Sequence, residues 1–176
     1  MAADLAEQFG PVPETSTVKL VKPQALGTPE LRRVYAIWES CRATRALPGR
    51  SDMVPGALGK YLRLVSLLRV IPERDDYEFR IIGDAHVQAY DAYHQGQRMR
   101  DVVAEAPGYG SALKSTLDNV VRTRKARAWS GLVGRDAGIA RFAWYESLFL
   151  PLGETGATVD HVLSAAVYLP RSGAWT

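Results

Sequence analysis

Thiol and imidazole groups are scarce in this chain: one cysteine, Cys41, and three histidines in 176 residues. One cysteine excludes an internal disulfide and a cysteine-rich metal cluster. His86, His94 and His161 show no His-x-x-x-His or Cys-paired spacing of the kind that holds zinc. Long apolar runs are missing as well, since none approaches the ~20 residues needed to span a bilayer. Residues 1–10 are polar and acidic, without the basic start and apolar run of a secretory leader. The expectation is therefore a protein of the reducing cytoplasm with no membrane partner. Charge of one sign is not in strong excess either. The 22 Lys and Arg against 19 Asp and Glu leave +3, too little by itself to imply a nucleic-acid partner. What is present is an ordinary globular composition, 47% hydrophobic and 23% charged, long enough for one domain with a sizeable core.

The stretch 77–94, YEFRIIGDAHVQAYDAYH, organises the rest. Tyr77, Phe79 and Ile81 alternate with Glu78 and Arg80, the period of a half-buried strand. Gly83 ends the run, and Asp84 is a good cap for a helix. Val87, Tyr90 and His94 then fall at i, i+3, i+7, one face of a helix running back across the sheet. Such a crossover can roof a pocket or an ordinary core.

Residues 2–23 hold several prolines and read as a loose leader, with 18–21 able to add an edge strand. Thr28 as cap and Pro29 at the first helical position open the helix 29–42. Its Leu31, Val34, Tyr35, Trp38 and Cys41 form an apolar stripe. Residues 47–55, LPGRSDMVP, form a punctuated loop in which Arg50 and Asp52 pair or cap, and Ser51 or Asp52 caps a short helix near 55–58. Residues 61–70 form a strand buried on both faces. A polar turn at 74–76 joins it to the strand at Tyr77 as a hairpin. Residues 98–103 make one helical turn, and 109–124 a longer helix with an Asp118–Arg122 pair. Strands follow at 126–133, 140–152 and 159–169.

This order predicts an α+β fold: a five-stranded antiparallel sheet with helices packed on one face. The domain spans 25–170, between a leader at 1–24 and a tail at 171–176. The pocket, between the sheet and the helices of 84–123, is expected to be walled by Phe79, Tyr90, His94, Trp129 and Tyr145.

Trp38, Leu47-Pro48-Gly49-Arg50-Ser51-Asp52 with Pro55, Phe79-Arg80-Ile81-Ile82-Gly83, Gly96, Tyr145-Glu146, Leu150-Pro151-Leu152 and Val159-Asp160 stand in a recurrent order. That set, spanning about 31–169, resembles a PAS-like sensor family of alphaproteobacteria, with Gly49 where the family often has Ser. The resemblance implies a five-stranded PAS-like fold and a non-enzymatic sensory, ligand-binding or protein-interaction module in bacterial signalling. It also implies pairing through the N-terminal helix into a homodimer, and a signalling protein as a further partner. It names no cofactor. Haem needs an axial ligand, and only His86 and His94 lie on the crossover. PAS flavin photochemistry needs a cysteine there, whereas Cys41 lies on the first helix.

The residues also admit other readings. Asp160 and His161 with Tyr145 and Glu146 can be drawn as a catalytic group, but adjacent strand residues point to opposite faces. A small cone-shaped α+β enzyme, with His94 or His161 paired to a carboxylate, is the competing class. The basic run 122–127, RTRKAR, suits phosphate, yet it also sits where cations complement a helix C-terminus.

Overall fold

The computed structural model describes residues 13–53, 55–90, 94–137 and 142–170. Residues 1–12 of the expected leader, the tail at 171–176 and the start of the 140–152 strand lie outside them.

The elements in chain order are β1 (Lys19–Val21), α1 (Pro29–Arg42), α2 (Pro55–Leu58), β2 (Val65–Ile71), β3 (Asp76–Ile82), α3 (Asp84–Ala89), α4 (Met99–Glu105), α5 (Pro107–Thr123), β4 (Arg127–Leu132), β5 (Phe142–Leu152) and β6 (His161–Pro170). The strands form one sheet in the order β1-β4-β5-β6-β2-β3, and every pairing is antiparallel. The fold is thus α+β and antiparallel as expected, but it has six strands among the described residues rather than five. The sixth is β1, which pairs with β4 from Lys19↔Ser130 to Val21↔Ala128. Only three residues long, it draws its stability from that pairing and carries little pattern of its own.

Helices lie on both faces of the sheet, which corrects the expected single layer. On β5, Glu146, Leu148 and Leu150 point one way and Tyr145, Ser147 and Phe149 the other, because strand side chains alternate. Glu146 accepts backbone amides at the start of α1. Tyr145 and its cross-strand partner Tyr168 lie instead with His86 of α3 and Tyr90 just beyond it. So α1 covers one face and α3–α5 the other. Sequence periodicity states that α1 is amphipathic; it does not state which side of the sheet receives it.

The α1 stripe is used internally. Leu31 and Val34 are fully buried, each stabilised by roughly 1.5–3 kcal/mol relative to exposure. The indole of Trp38 donates to the Pro151 carbonyl at 3.0 Å. Tyr35, Ile37 and Cys41 pack at the margins of the same core.

A further correction concerns 61–70. Residues Gly59–Leu64 form a 3₁₀ helix, and the strand begins only at Val65. A short apolar run reads alike as strand or buried helical turn. Gly59, at φ +51°, turns the chain into that tight segment. In the 47–55 loop, Asp52 does not bond Arg50. It accepts from the Gly49 amide at 2.7 Å and from Arg45 at 2.7 Å. Ser51 binds Glu154 through its amide and hydroxyl.

Candidate functional site

The site grows from the contact between Gly83 and the 3₁₀ segment. Gly83 has an ordinary φ of −73°, so no positive-φ turn demands glycine here. Space does: a Cβ would stand 2.5 Å from the Arg63 carbonyl oxygen and 2.7 Å from that of Val65. This close approach seats α3 against the neighbouring segment and brings His86 Nε2 to 3.0 Å from the Leu64 carbonyl. A carbonyl only accepts, so Nε2 carries the proton and Nδ1 is left as an acceptor. The Tyr168 hydroxyl, 3.0 Å away, donates to it. Burial drives the His86 pKa down to about 4, outweighing the Leu64 bond that favours the charged form. The result is a neutral, buried relay of carbonyl, imidazole and phenol.

Aromatic rings close around this relay. Tyr90 stacks on Tyr109 of α5 with centroids 4.6 Å apart and meets Phe142 edge-on at 5.3 Å. Phe142 lies 4.7 Å from Tyr168 and 5.6 Å from Tyr145. Burial, and then the charge of a neighbouring Tyr109, pushes the Tyr145 and Tyr168 phenols up. Both therefore stay neutral hydroxyls at physiological pH, able to donate and accept. Edge-on and offset rings of this kind contribute roughly 0.5–1.5 kcal/mol per pair beyond area burial.

Two of the five expected wall residues, Tyr90 and Tyr145, meet in this nest. Phe79 is buried on the same face of the sheet, but its strand lies three positions from β5. Trp129 also shares that face, opposite Ser147 on β4. Its indole N–H is buried and makes no hydrogen bond among the described residues. His94 is a correction. α3 stops at Ala89, Tyr90 has an extended backbone, and 91–93 lie outside the described residues. His94 itself is exposed, its amide bonded to the Gln97 side chain. The expected helical face shared by Tyr90 and His94 does not form, because the Tyr90 ring is drawn into the nest. Tyr109 and Tyr168 were missed as wall residues, Phe142 stood in the sequence only as one of an aromatic group with Trp129, Trp144 and Tyr145 able to stack on a planar ligand, and His86 was read only as a metal or haem ligand. Tyr168 was findable in principle: it shares with Ala166 and Ser164 the period-two face of β6 that carries the nest.

A cleft of about 870 Å³ opens at the rim of the same layer, between the β2–β3 turn, α5 and residues 157–159. Tyr77 donates to Asp118 there at 2.7 Å. Asp118 and Asp75 both hold Lys114, so the expected Asp118–Arg122 pair is replaced by Asp118–Lys114. Burial opposes the charged Lys114, yet the bonds to Asp118 and Asp75 prevail and its pKa rises. Of the basic run, Arg124 and Arg127 are engaged, on the Ala157 carbonyl and the Asn119 side chain, and Arg122 lies in the last turn of α5.

His161 and Asp160 do meet, at 2.7 Å, although adjacent strand residues were expected to diverge. Asp160 precedes β6, so the strand alternation does not bind it. His161 pairs with Leu152 and Arg69 on the α1 face, away from the nest. Both nitrogens of His86 are engaged, so it offers no axial position without breaking a bond. Among the described residues no group of three or more His, Cys, Asp or Glu is placed to hold a metal ion. Among them, too, no helix is long and apolar enough to cross a membrane.

The site is thus one face of an antiparallel sheet, crossed by short helices over a buried lining of aromatic rings and hydroxyls. A family model described as PAS domain matches residues 27–166, most of the chain, and the chain belongs to that family. PAS domains are in general non-enzymatic modules of sensing and signalling. No curated protein and no solved structure matches the chain significantly.

Proposed function

We propose that this chain is a non-enzymatic PAS-type sensor of the bacterial cytoplasm that binds a small, uncharged, largely apolar ligand at the Tyr90–Tyr168 nest. The observation that carries the reading is the His86–Tyr168 relay, a neutral polar group held inside an aromatic lining. Ligand pockets are mostly apolar with a few placed polar groups. A charged ligand would find no buried counter-charge here, because His86 is neutral above about pH 4. Entry requires the Tyr90–Tyr109 stack to part. The same geometry disfavours the cone-enzyme reading, which needs His94 or His161 with a carboxylate in the pocket: His94 faces solvent, and the His161–Asp160 pair lies on the α1 face, away from the nest. The module would signal through a protein partner or through a homodimer formed along the outer side of α1.

Native mass spectrometry of freshly purified protein tests the ligand claim. A co-purified small molecule that is lost from Tyr168→Phe and Tyr90→Ala supports it. Mass equal to the bare chain, together with no thermal shift from any uncharged aromatic compound in a screen, overturns it.

A further inference from the structure

The sheet end that α1 does not cover carries a surface of different character. Between β2 and β3 the register slips at Leu67/Leu68: Leu67 opposes Ile81 while Leu68 opposes Phe79. Arg80 is thus the extra residue of a β-bulge. Arg80 bonds Glu78, two residues back on the same strand, and the bulge turns Ile81 onto the Glu78 face. Ile81 opposes Leu67 on the same face and stands 47% exposed.

Glu78 is the hub of this surface. Its buried carboxylate receives Arg69 from the neighbouring strand at 2.8 Å, Arg80 from its own, and Arg98 at 3.3 Å. The guanidinium contacts hold its carboxyl below the usual range, the Arg80 bond most of all, against the opposing effect of burial. One arginine would neutralise Glu78, so the three leave an excess of two positive charges. Of the nearby carboxylates, Asp76 and Asp101 share Arg100 and Asp160 is hydrogen-bonded to the His161 ring, so the positive excess belongs to the Glu78 cluster itself, where Arg69 and Arg80 present it to solvent. A guanidinium has five N–H donors, and each of these three makes its ion pair with Glu78 through a single nitrogen. The Nη1 of Arg98 is buried and makes no hydrogen bond among the described residues. Arg69 and Arg80 are nearly half exposed and face solvent beside Ile81.

We propose that this patch docks an acidic segment of a partner protein, in which an aliphatic side chain is flanked by carboxylates. Ile81 receives the aliphatic group and the exposed Arg69 and Arg80 receive the carboxylates, while Arg98, whose Nη1 is buried, helps to hold Glu78. Charge complementarity selects the occupant, and the apolar centre on an open sheet face favours a peptide over a free anion. Glu78 supplies pre-organisation: by fixing three long side chains before the partner arrives, it removes rotamer entropy that binding would otherwise cost. The patch lies on the face opposite the aromatic nest, so its test is independent of the ligand reading.

Fluorescence anisotropy with a fluorescein-labelled peptide of repeating Glu-Glu-Leu tests the proposal on the full chain. Saturable binding is expected, weakened about tenfold by Arg69→Ala and again by Arg80→Ala, and reduced as salt is raised. Ile81→Ser weakens it too, while a Lys-Lys-Leu peptide does not bind. All three sites are at least partly exposed, and circular dichroism of each variant checks that the fold is kept. Three results overturn the proposal: no binding by the wild type, binding unchanged in the Arg69→Ala/Arg80→Ala double variant, or a preference for anionic phospholipid vesicles over the peptide.

Discussion

Glu146 on β5 caps helix α1 from far away in the chain: its two carboxylate oxygens accept the amides of Gly27 and Thr28, each at 2.8 Å. The same carboxylate takes the Ser130 hydroxyl at 3.0 Å, so it ties β4, β5 and the start of α1 together. Thr28 stands at the N-cap position but makes no side-chain cap bond. The division of labour predicts a contrast. Glu146→Ala leaves the part-buried amides of Gly27 and Thr28 without their acceptor and is expected to destabilise the fold by about 1–3 kcal/mol. Thr28→Ala is expected to cost under about 0.5 kcal/mol, well below the usual value of a lost cap. Urea unfolding of both variants checks the pair, and equal losses would mean that Thr28 caps after all.

His86 sets a pH dependence. Its ordinary pKa of 6.5 falls to about 4 in the fold because burial disfavours the imidazolium. Above pH 6.5 the ring is neutral folded and unfolded, so its full contribution is present. As pH falls from 6.5 toward 4, the unfolded chain takes a proton that the folded one refuses. Stability then drops by about 1.4 kcal/mol per pH unit, roughly 3 kcal/mol in all. Carboxylates add to the slope in the same direction, so the diagnostic quantity is a difference. His86→Gln keeps a donor for Leu64 and an acceptor for Tyr168 but does not titrate there. Urea unfolding of both proteins at pH 7 and pH 4.5 should give the variant the shallower loss; parallel losses would show that His86 is protonated without unfolding.

The parts of this fold that were legible in the sequence are those set by local pattern. Pro29 at a helix start and the Leu31–Val34–Trp38 spacing located α1, and the period-two run at Tyr77–Ile81 located β3. Gly83 was legible as a break but for a different reason from the real one. The features that were not legible depend on distant partners. Glu146 and Gly27 are separated by 119 residues, and nothing local marks a strand glutamate as a helix cap. α3 ends at Ala89 because the Tyr90 ring is worth more in the nest than its backbone is in another helical turn, a tertiary contact overriding local propensity. His94 was lost from the candidate site for that reason, and Tyr109 and Tyr168 were missed because each reads locally as one more aromatic in an amphipathic element.

Two glycines should respond oppositely to a methyl group. At Gly83 the new Cβ meets two backbone carbonyls, neither of which can rotate away. Gly83→Ala is therefore expected to cost about 1–3 kcal/mol and to disturb the His86–Leu64 bond. Gly108, early in α5, has nothing within 4 Å of the same position. Gly108→Ala is expected to stabilise by about 0.5–1 kcal/mol through lower entropy of the unfolded chain. Calorimetric melting of the two variants reads both signs, and a neutral Gly83→Ala would show that α3 is not seated by this contact.

The 47–55 loop should prove structural. Asp52 fastens the Gly49 amide and Arg45, and the amide bond, more than Arg45, holds its carboxyl below the usual range. Asp52→Ala is expected to lower the melting temperature and leave ligand and peptide binding alone. Arg50, exposed in the same loop, should tolerate alanine. Normal stability with lost binding in Asp52→Ala would reassign the loop to a site.

The last prediction concerns assembly through α1. The apolar stripe first seen in the sequence is occupied by the chain's own sheet, since Leu31, Val34 and Trp38 are buried there. A homodimer along α1 must therefore use its outer side, where Tyr35 and Ile37 are half-buried at the stripe's margins and Ala36 is exposed. Ile37 packs against the core, so a charge at that position would perturb folding as well as pairing. Ala36 separates the two effects. In an isologous contact each substitution acts twice, once from each subunit. Ala36→Arg is then expected to convert a dimer at tens of micromolar into a monomer while far-ultraviolet circular dichroism and melting temperature stay at wild-type values. Sedimentation velocity reads the change. A wild-type protein that already sediments as a monomer at that concentration would assign α1 wholly to the core and leave signalling to a different partner.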